Sequence, residues 1–213
     1  MRLRLAHLCA RRSLGATNVA AADPSESLLA TCADRVPGAD VRRAPAEALP
    51  WPDESFDAVL SQLVLNFVPD ADAAVAEMCR VAARGGILAS CTWDYAGGMR
   101  MLRTFWDAAA ELDPRAPDEQ GMRYRSADEL AALWERHGLG GVETAPLDVQ
   151  VGYESFDGYW EPFTLGVGPA GAYCASLEPK QREALREGCF RRLGSPAGPF
   201  PLTARAFAVR GTR

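Results

Sequence analysis

Three groups of residues in the first hundred positions could do chemistry together. Asp23 closes a short apolar run, Asn18 to Ala22, and Pro24, Ser25 and Glu26 follow it. A carboxylate just beyond a buried strand can accept both hydroxyls of a ribose, because α/β sheets bind ligands outside the carboxyl ends of their strands. The same acid could also cap the next helix, with Pro24 at its first turn. The second group is Ala46-Glu47-Ala48-Leu49-Pro50-Trp51-Pro52, with Ser55-Phe56-Asp57 close behind. The third is Glu77-Met78-Cys79-Arg80-Val81, shortly before Gly85-Gly86. Asp94, just past another apolar run, is the best general-base candidate. Among the aromatic residues, Trp93, Trp160 and Phe163 are the candidates for touching a substrate, although most such side chains serve only the core.

Two further motifs are decoys. Gly166-Val167-Gly168-Pro169-Ala170-Gly171 spells the dinucleotide fingerprint, but the segment before it contains Pro162 and does not read as a strand. A loop between two helices fits better, which removes the main support for a nicotinamide oxidoreductase. His137 falls on the apolar stripe of a helix, in its last turn, and reads as a core or dipole-pairing residue rather than a base. The other histidine, His7, has no evident partner. Cys9, Cys32, Cys79, Cys91, Cys174 and Cys189 form no C-x-x-C pair, so no metal is expected and reduced cytosolic thiols are.

The elements that must position these groups alternate. Residues 3–14 read as a helix closed by Gly15. A strand over 18–22 and a helix to about Ala33 follow, with Asp23 as its cap. A short strand spans Asp40 to Arg43, and a buried strand spans Phe56 to Leu60. Asp70 to Ala83 is helical by the stripe Val75, Met78, Cys79, Ala82. Gly85-Gly86 reads as a turn into a strand over Ile87 to Cys91. Ser126 to Glu129 is a capping box for a helix striped by Leu130, Leu133 and Trp134, ended by Gly138. A strand near Val142 to Val151, helices between Glu154 and Leu193 and a strand over Leu202 to Val209 complete the chain. This order predicts an α/β fold with a mainly parallel sheet.

The 213 residues suit one domain over 1–213, with a helical insertion over 153–198 before the last strand. Hydrophobic residues at 48% are enough for a sizeable core, and a net charge of -5 argues against nucleic acid. Arg2, Arg4, Arg11 and Arg12, with no acid before Asp23, have the flavour of a targeting segment. The apolar stretch after Arg12 is short and broken by Gly15 and Asn18, so a cytoplasmic chain is expected. No apolar run is long enough to span a membrane.

Taken in order, the acid-containing turn at 23–25, "AEALPWPDESFD" at 46–57 and "EMCRV" ahead of the two glycines resemble the small-molecule, S-adenosylmethionine-dependent methyltransferases of the ubiquinone- and menaquinone-biosynthesis type, a class I, type 11 family. The likeness is close over Asn18 to Tyr95. It implies a Rossmann-like sheet, mostly parallel with an antiparallel C-terminal strand, S-adenosylmethionine as cofactor and a small-molecule methyl acceptor. It further implies that Asp23 holds the ribose, Ala46 and Glu47 lie against adenine, Ser61 and Gln62 flank the methionine portion, and Asn66 meets the acceptor. Arg84 stands where the family usually has proline. The family's opening strand and "D-x-G-x-G-x-G" loop are missing from this sequence, and Met1 to Leu5, with two arginines, makes a poor central strand. The chain therefore reads as N-terminally truncated, with a gap in the middle of a weakened sheet. The alternative to an enzyme is a non-catalytic relative that binds a ligand or partner.

Overall fold

The computed structural model describes residues 18–213. The helix expected over 3–14, His7 and Cys9 lie outside them. The elements are β1 (Ala20–Asp23), α1 (Glu26–Arg35), β2 (Asp40–Arg43), β3 (Phe56–Gln62), a 3-10 turn (Leu65–Phe67), α2 (Ala71–Val81), β4 (Ala82–Trp93), α3 (Arg100–Leu112), α4 (Ala127–Arg136), β5 (Gly140–Tyr153), α5 (Phe156–Thr164), α6 (Gly168–Ser176), α7 (Pro179–Arg192) and β6 (Phe200–Thr212).

The strands form two sheets, β1-β2 and β3-β4-β6-β5. Both β1 with β2 and β3 with β4 run parallel, each pair joined by a helical crossover. β6 is antiparallel to β4: Gly85 and Gly86 bond with Arg213, while the Asp94 N–H reaches the Arg205 carbonyl. It is antiparallel to β5 as well, since Arg210 pairs with Glu143 and Arg205 with Asp148. The α/β fold with an antiparallel last strand is thus present, and among the described residues its strands fall into two sheets.

Two local expectations are corrected. α1 is capped at Ser25, not Asp23, and starts at Glu26. Asp23 stays in β1 opposite Arg43, and its carboxylate accepts the Ser25 N–H at 2.8 Å. Gly85 and Gly86 lie inside β4 rather than in a turn before it. Their bonds to Arg213 pull them into the ladder, and the register with β3 slips between Phe56–Ala82 and Ala58–Ile87. The extra residues are a bulge, which Gly85 permits with φ +76°.

The chain resolves into two compact units. The first comprises residues up to Thr92, Ala127–Thr144 and Ala208–Arg213. In it α2, whose cap Asp70 accepts the Ala73 N–H, buries Ala71, Ala74, Val75, Met78 and Val81. α4 buries Leu130, Leu133 and Trp134. The second unit comprises Trp93–Ser126 and Ala145–Phe207. Its core is aromatic: Phe105, Trp106, Tyr159, Trp160 and Phe163 pack with Cys174, Leu185 and Cys189. No helix among the described residues is long and apolar enough to cross a membrane.

The second unit also buries a carboxyl group, Glu119, which accepts the Trp106 indole N–H at 2.8 Å. Burial raises its pKa, the Trp106 bond opposes the rise, the Asp118 charge adds to it and Arg103 opposes it. A carboxyl raised on folding makes stability fall as pH climbs from the ordinary carboxylate range through the folded value. Glu119→Gln keeps an acceptor for Trp106 and removes the charge. We expect the variant to gain melting temperature over the parent at pH 8 but not at pH 4, read by near-UV circular dichroism. An unchanged difference between the two pH values would contradict the buried-acid reading.

Candidate functional site

A cavity of about 310 Å³ opens in the first unit, lined by residues 18–24 along β1, by Phe56 and residues 58–62 along β3, and by Ala44, Ala46, Leu49 and Trp51. Asp23, Ala46, Ser61 and Gln62 all face it. Sequence order separates them by up to 39 positions; the parallel strands bring their carboxyl ends together.

Each position has a local cause. The Asp23 carboxylate accepts the Ser25 N–H, which helps to orient it at the end of β1. β3 ends at Gln62 because Leu63 takes φ +57°, the left-handed region, sparsely populated for a branched residue. Its N–H is fixed on the Cys91 carbonyl at 2.8 Å and its side chain is buried, so packing holds the turn. Gln62 Oε1 is buried with no hydrogen-bond partner. An orphaned acceptor in a cavity wall fits a ligand donor.

The 46–53 loop is clamped from α2. Glu77 accepts the Leu49 N–H at 2.8 Å. Arg80 donates to the carbonyls of Leu49 at 2.9 Å and Trp51 at 2.8 Å, and to the carboxylates of Asp53 at 2.8 Å and Glu77 at 2.7 Å. Arg80 in turn holds the Glu77 carboxyl below the usual carboxylate range against the pull of burial. Trp51 is fixed by its N–H to Asp40 at 2.7 Å and by Phe56 edge-on at 5.3 Å. Sequence reasoning recorded Glu77 and Arg80 only as part of a motif. Their i,i+3 spacing of opposite charges on a helix was the available signal.

The remaining candidates stand elsewhere. Glu47 is not a cavity residue; its carboxylate is 3.5 Å from the Asp70 N–H. Asn66 is buried in the 3-10 turn. Trp93, Asp94, Trp160 and Phe163 belong to the second unit. Asp94 Oδ1 accepts the Gly97 N–H at 3.1 Å. Trp160 and Phe163 are engaged in the core, stacked on Phe105 at 6.3 and 4.5 Å. The two decoys resolve only in part as expected: α5, not a strand, precedes Gly166, but Gly168 to Gly171 open α6 rather than a loop, and His137 lies just past the end of α4 rather than in its last turn. His137 Nε2 pairs with Asp72 at 3.1 Å.

Known proteins resemble this chain in sequence and in fold. Residues 4–90 match the family model described as a methyltransferase domain. An uncharacterized protein of Mycobacterium bovis is 31% identical over 130 residues, 59% of this chain and 47% of its own length. A malonyl-[acyl-carrier protein] O-methyltransferase of Methylococcus capsulatus is 37% identical over 91 residues, 41% of this chain and 33% of its own. The chain thus spans less than half of either relative. A solved structure from Anaeromyxobacter dehalogenans, provisionally described as a type II methyltransferase, superposes with a TM-score of 0.66 at 21% identity. That match covers 98% of this chain and 86% of the other, and establishes the shared fold.

Proposed function

We propose that this chain, whose residues 4–90 belong to the methyltransferase-domain family, binds S-adenosylmethionine in the β1–β3 cavity and passes its methyl group to a small-molecule acceptor. The observation that carries the reading is the convergence of Asp23, Ala46, Ser61 and Gln62 on one cavity, with Gln62 Oε1 buried there and lacking a partner. S-adenosylmethionine is the cofactor that a methyltransferase domain implies, and its sulfonium supplies an electrophilic methyl group.

In this reading the protein mainly binds and aligns, because an in-line displacement needs orientation and exclusion of water more than covalent help. Asp23 accepts the ribose hydroxyls. Ala46, held by the Arg80 clamp on its loop, lies against the adenine, with Glu47 as a polar neighbour. Ser61 and Gln62 bind the amino-acid end, where Gln62 Oε1 accepts from the ammonium group. Asn66 contacts the acceptor. The net charge of -5 suits a small metabolite better than nucleic acid, and we place the reaction in the cytoplasm.

Ultraviolet cross-linking with methyl-labelled S-adenosylmethionine, followed by peptide mapping, tests the placement. Label is expected in peptides containing residues 18–24 or 58–62. Label confined to other peptides would sink it.

A further inference from the structure

Among the described residues, the aromatic part of the cavity wall is Trp51 with Phe56. Trp51 is only half-buried, yet three side chains fix its ring. The indole N–H donates to Asp40 Oδ2 at 2.7 Å. The Arg42 guanidinium stands over the ring, 5.5 Å from its centroid, and Phe56 meets it edge-on at 5.3 Å. Asp40 and Arg42 are alternate residues of β2 and so share one face of that strand. Arg42 grips both carboxylate oxygens of Asp40, at 2.9 and 2.8 Å, and its Nη1 donates to the Pro50 carbonyl at 2.6 Å. The Trp51 carbonyl is held separately by Arg80 at 2.8 Å.

Stability does not account for this set. Asp40 and Arg42 are both exposed, and an exposed ion pair adds little to a fold, because water screens it and two side chains lose freedom. Its effect is to orient one indole in a cavity wall before any ligand arrives, which lowers the ordering cost of binding a second flat ring against it. We infer that Trp51 is a specificity-determining residue, the plane on which the ligand's purine base stacks, and that Asp40 and Arg42 are positioning residues that fix this plane. The inference rests on the reading of the cavity as an S-adenosylmethionine site and adds which part of the ligand Trp51 selects. Two features favour the base over the sulfonium end. Ala46, which lies against adenine in that reading, belongs to the same clamped loop and lines the same cavity. The base is neutral and planar, whereas a sulfonium beside Trp51 would meet the like charge of Arg42.

The full chain and its variants are titrated with S-adenosylhomocysteine and with adenosine, which share the base. Trp51→Leu is expected to weaken both ligands by about the same factor, roughly tenfold or more, while Trp51→Phe keeps a stacking ring and stays within about threefold of the parent. Saturating ligand is expected to quench indole fluorescence in the parent. That part of the quenching should vanish in Trp51→Phe although the ligand still binds, which separates Trp51 from the other tryptophans and marks contact rather than folding. Without ligand, Arg42→Leu should open Trp51 to acrylamide, and with ligand it should bind severalfold more weakly, with Arg42→Lys restoring only part of either effect. Equal affinity in Trp51→Leu, or quenching that persists in Trp51→Phe, would overturn the role of Trp51. Unchanged acrylamide access in Arg42→Leu would overturn the positioning role. A parent that binds neither ligand would instead overturn the reading of the cavity, and this inference with it.

Discussion

Replacing Arg80 with alanine is expected to weaken S-adenosylmethionine binding by about tenfold or more while leaving the secondary structure in place. Arg80 does not line the cavity. It acts through the 46–53 loop, whose Leu49 and Trp51 carbonyls it holds while also pairing with Asp53 and Glu77. Without it those carbonyls turn to water, and Ala46, Leu49 and Trp51 lose their fixed place on the cavity wall. Glu77 also loses the partner that keeps it ionised at low pH, and so its hold on the Leu49 N–H weakens. Arg80→Lys is expected to rescue little, because one ammonium cannot reproduce a planar fork aimed at four acceptors. Amide exchange over residues 46–53 gives an independent readout. Faster exchange there with unchanged exchange in β4 is the expected signature. Unchanged affinity and exchange would remove the clamp from the account.

The largest loss of stability is expected at Trp134. Its side chain is fully buried, and its indole N–H points at the Leu88 carbonyl of β4 at 3.4 Å. The neighbouring backbone is shaped to it: a Cβ on Gly211 would stand 2.9 Å from the indole and 3.1 Å from Leu139. Truncating a buried tryptophan to alanine costs about 3–5 kcal/mol, since the cavity left behind collapses only in part. Net stabilities of domains run about 5–15 kcal/mol, so a loss of that size removes much of the total. Trp134→Ala should therefore be largely unfolded at 37 °C, whereas Trp134→Phe should lose less than half as much. Urea denaturation of the three chains measures this. A loss below about 1 kcal/mol for the alanine variant would contradict the packing described.

Much of this molecule was legible because its signals are local and redundant. Phe56 to Leu60 is a short apolar run bounded by polar residues, and it is a strand. Asp70 caps its helix as its residue type suggests, and the stripe of α4 fell on Leu130, Leu133 and Trp134. The failures came where a distant partner overruled a local preference. Gly85-Gly86 has the composition of a turn, yet Arg213, more than a hundred residues later, draws both glycines into a strand. Asp23 next to Pro24 reads as a helix cap, yet pairing with β2 keeps it in β1. Asp23, Ala46, Ser61 and Gln62, which line one cavity, are named together by a resemblance, not by any local signal. Arg80 and Glu77 were seen as letters of a motif but not as a clamp, because their partners are backbone carbonyls and an N–H that no residue type announces.

The most direct test of the central claim is a calorimetric titration of the 213-residue chain with S-adenosylmethionine and with its demethylated product, beside the same titration of Asp23→Ala. The expected result is saturable binding of both ligands to the parent, with an affinity in about the micromolar range, and a loss of about tenfold or more in the variant, as befits a charged acceptor of two hydroxyl hydrogen bonds. No heat from a folded parent, or equal binding by parent and variant, would contradict the assignment of this cavity to the cofactor.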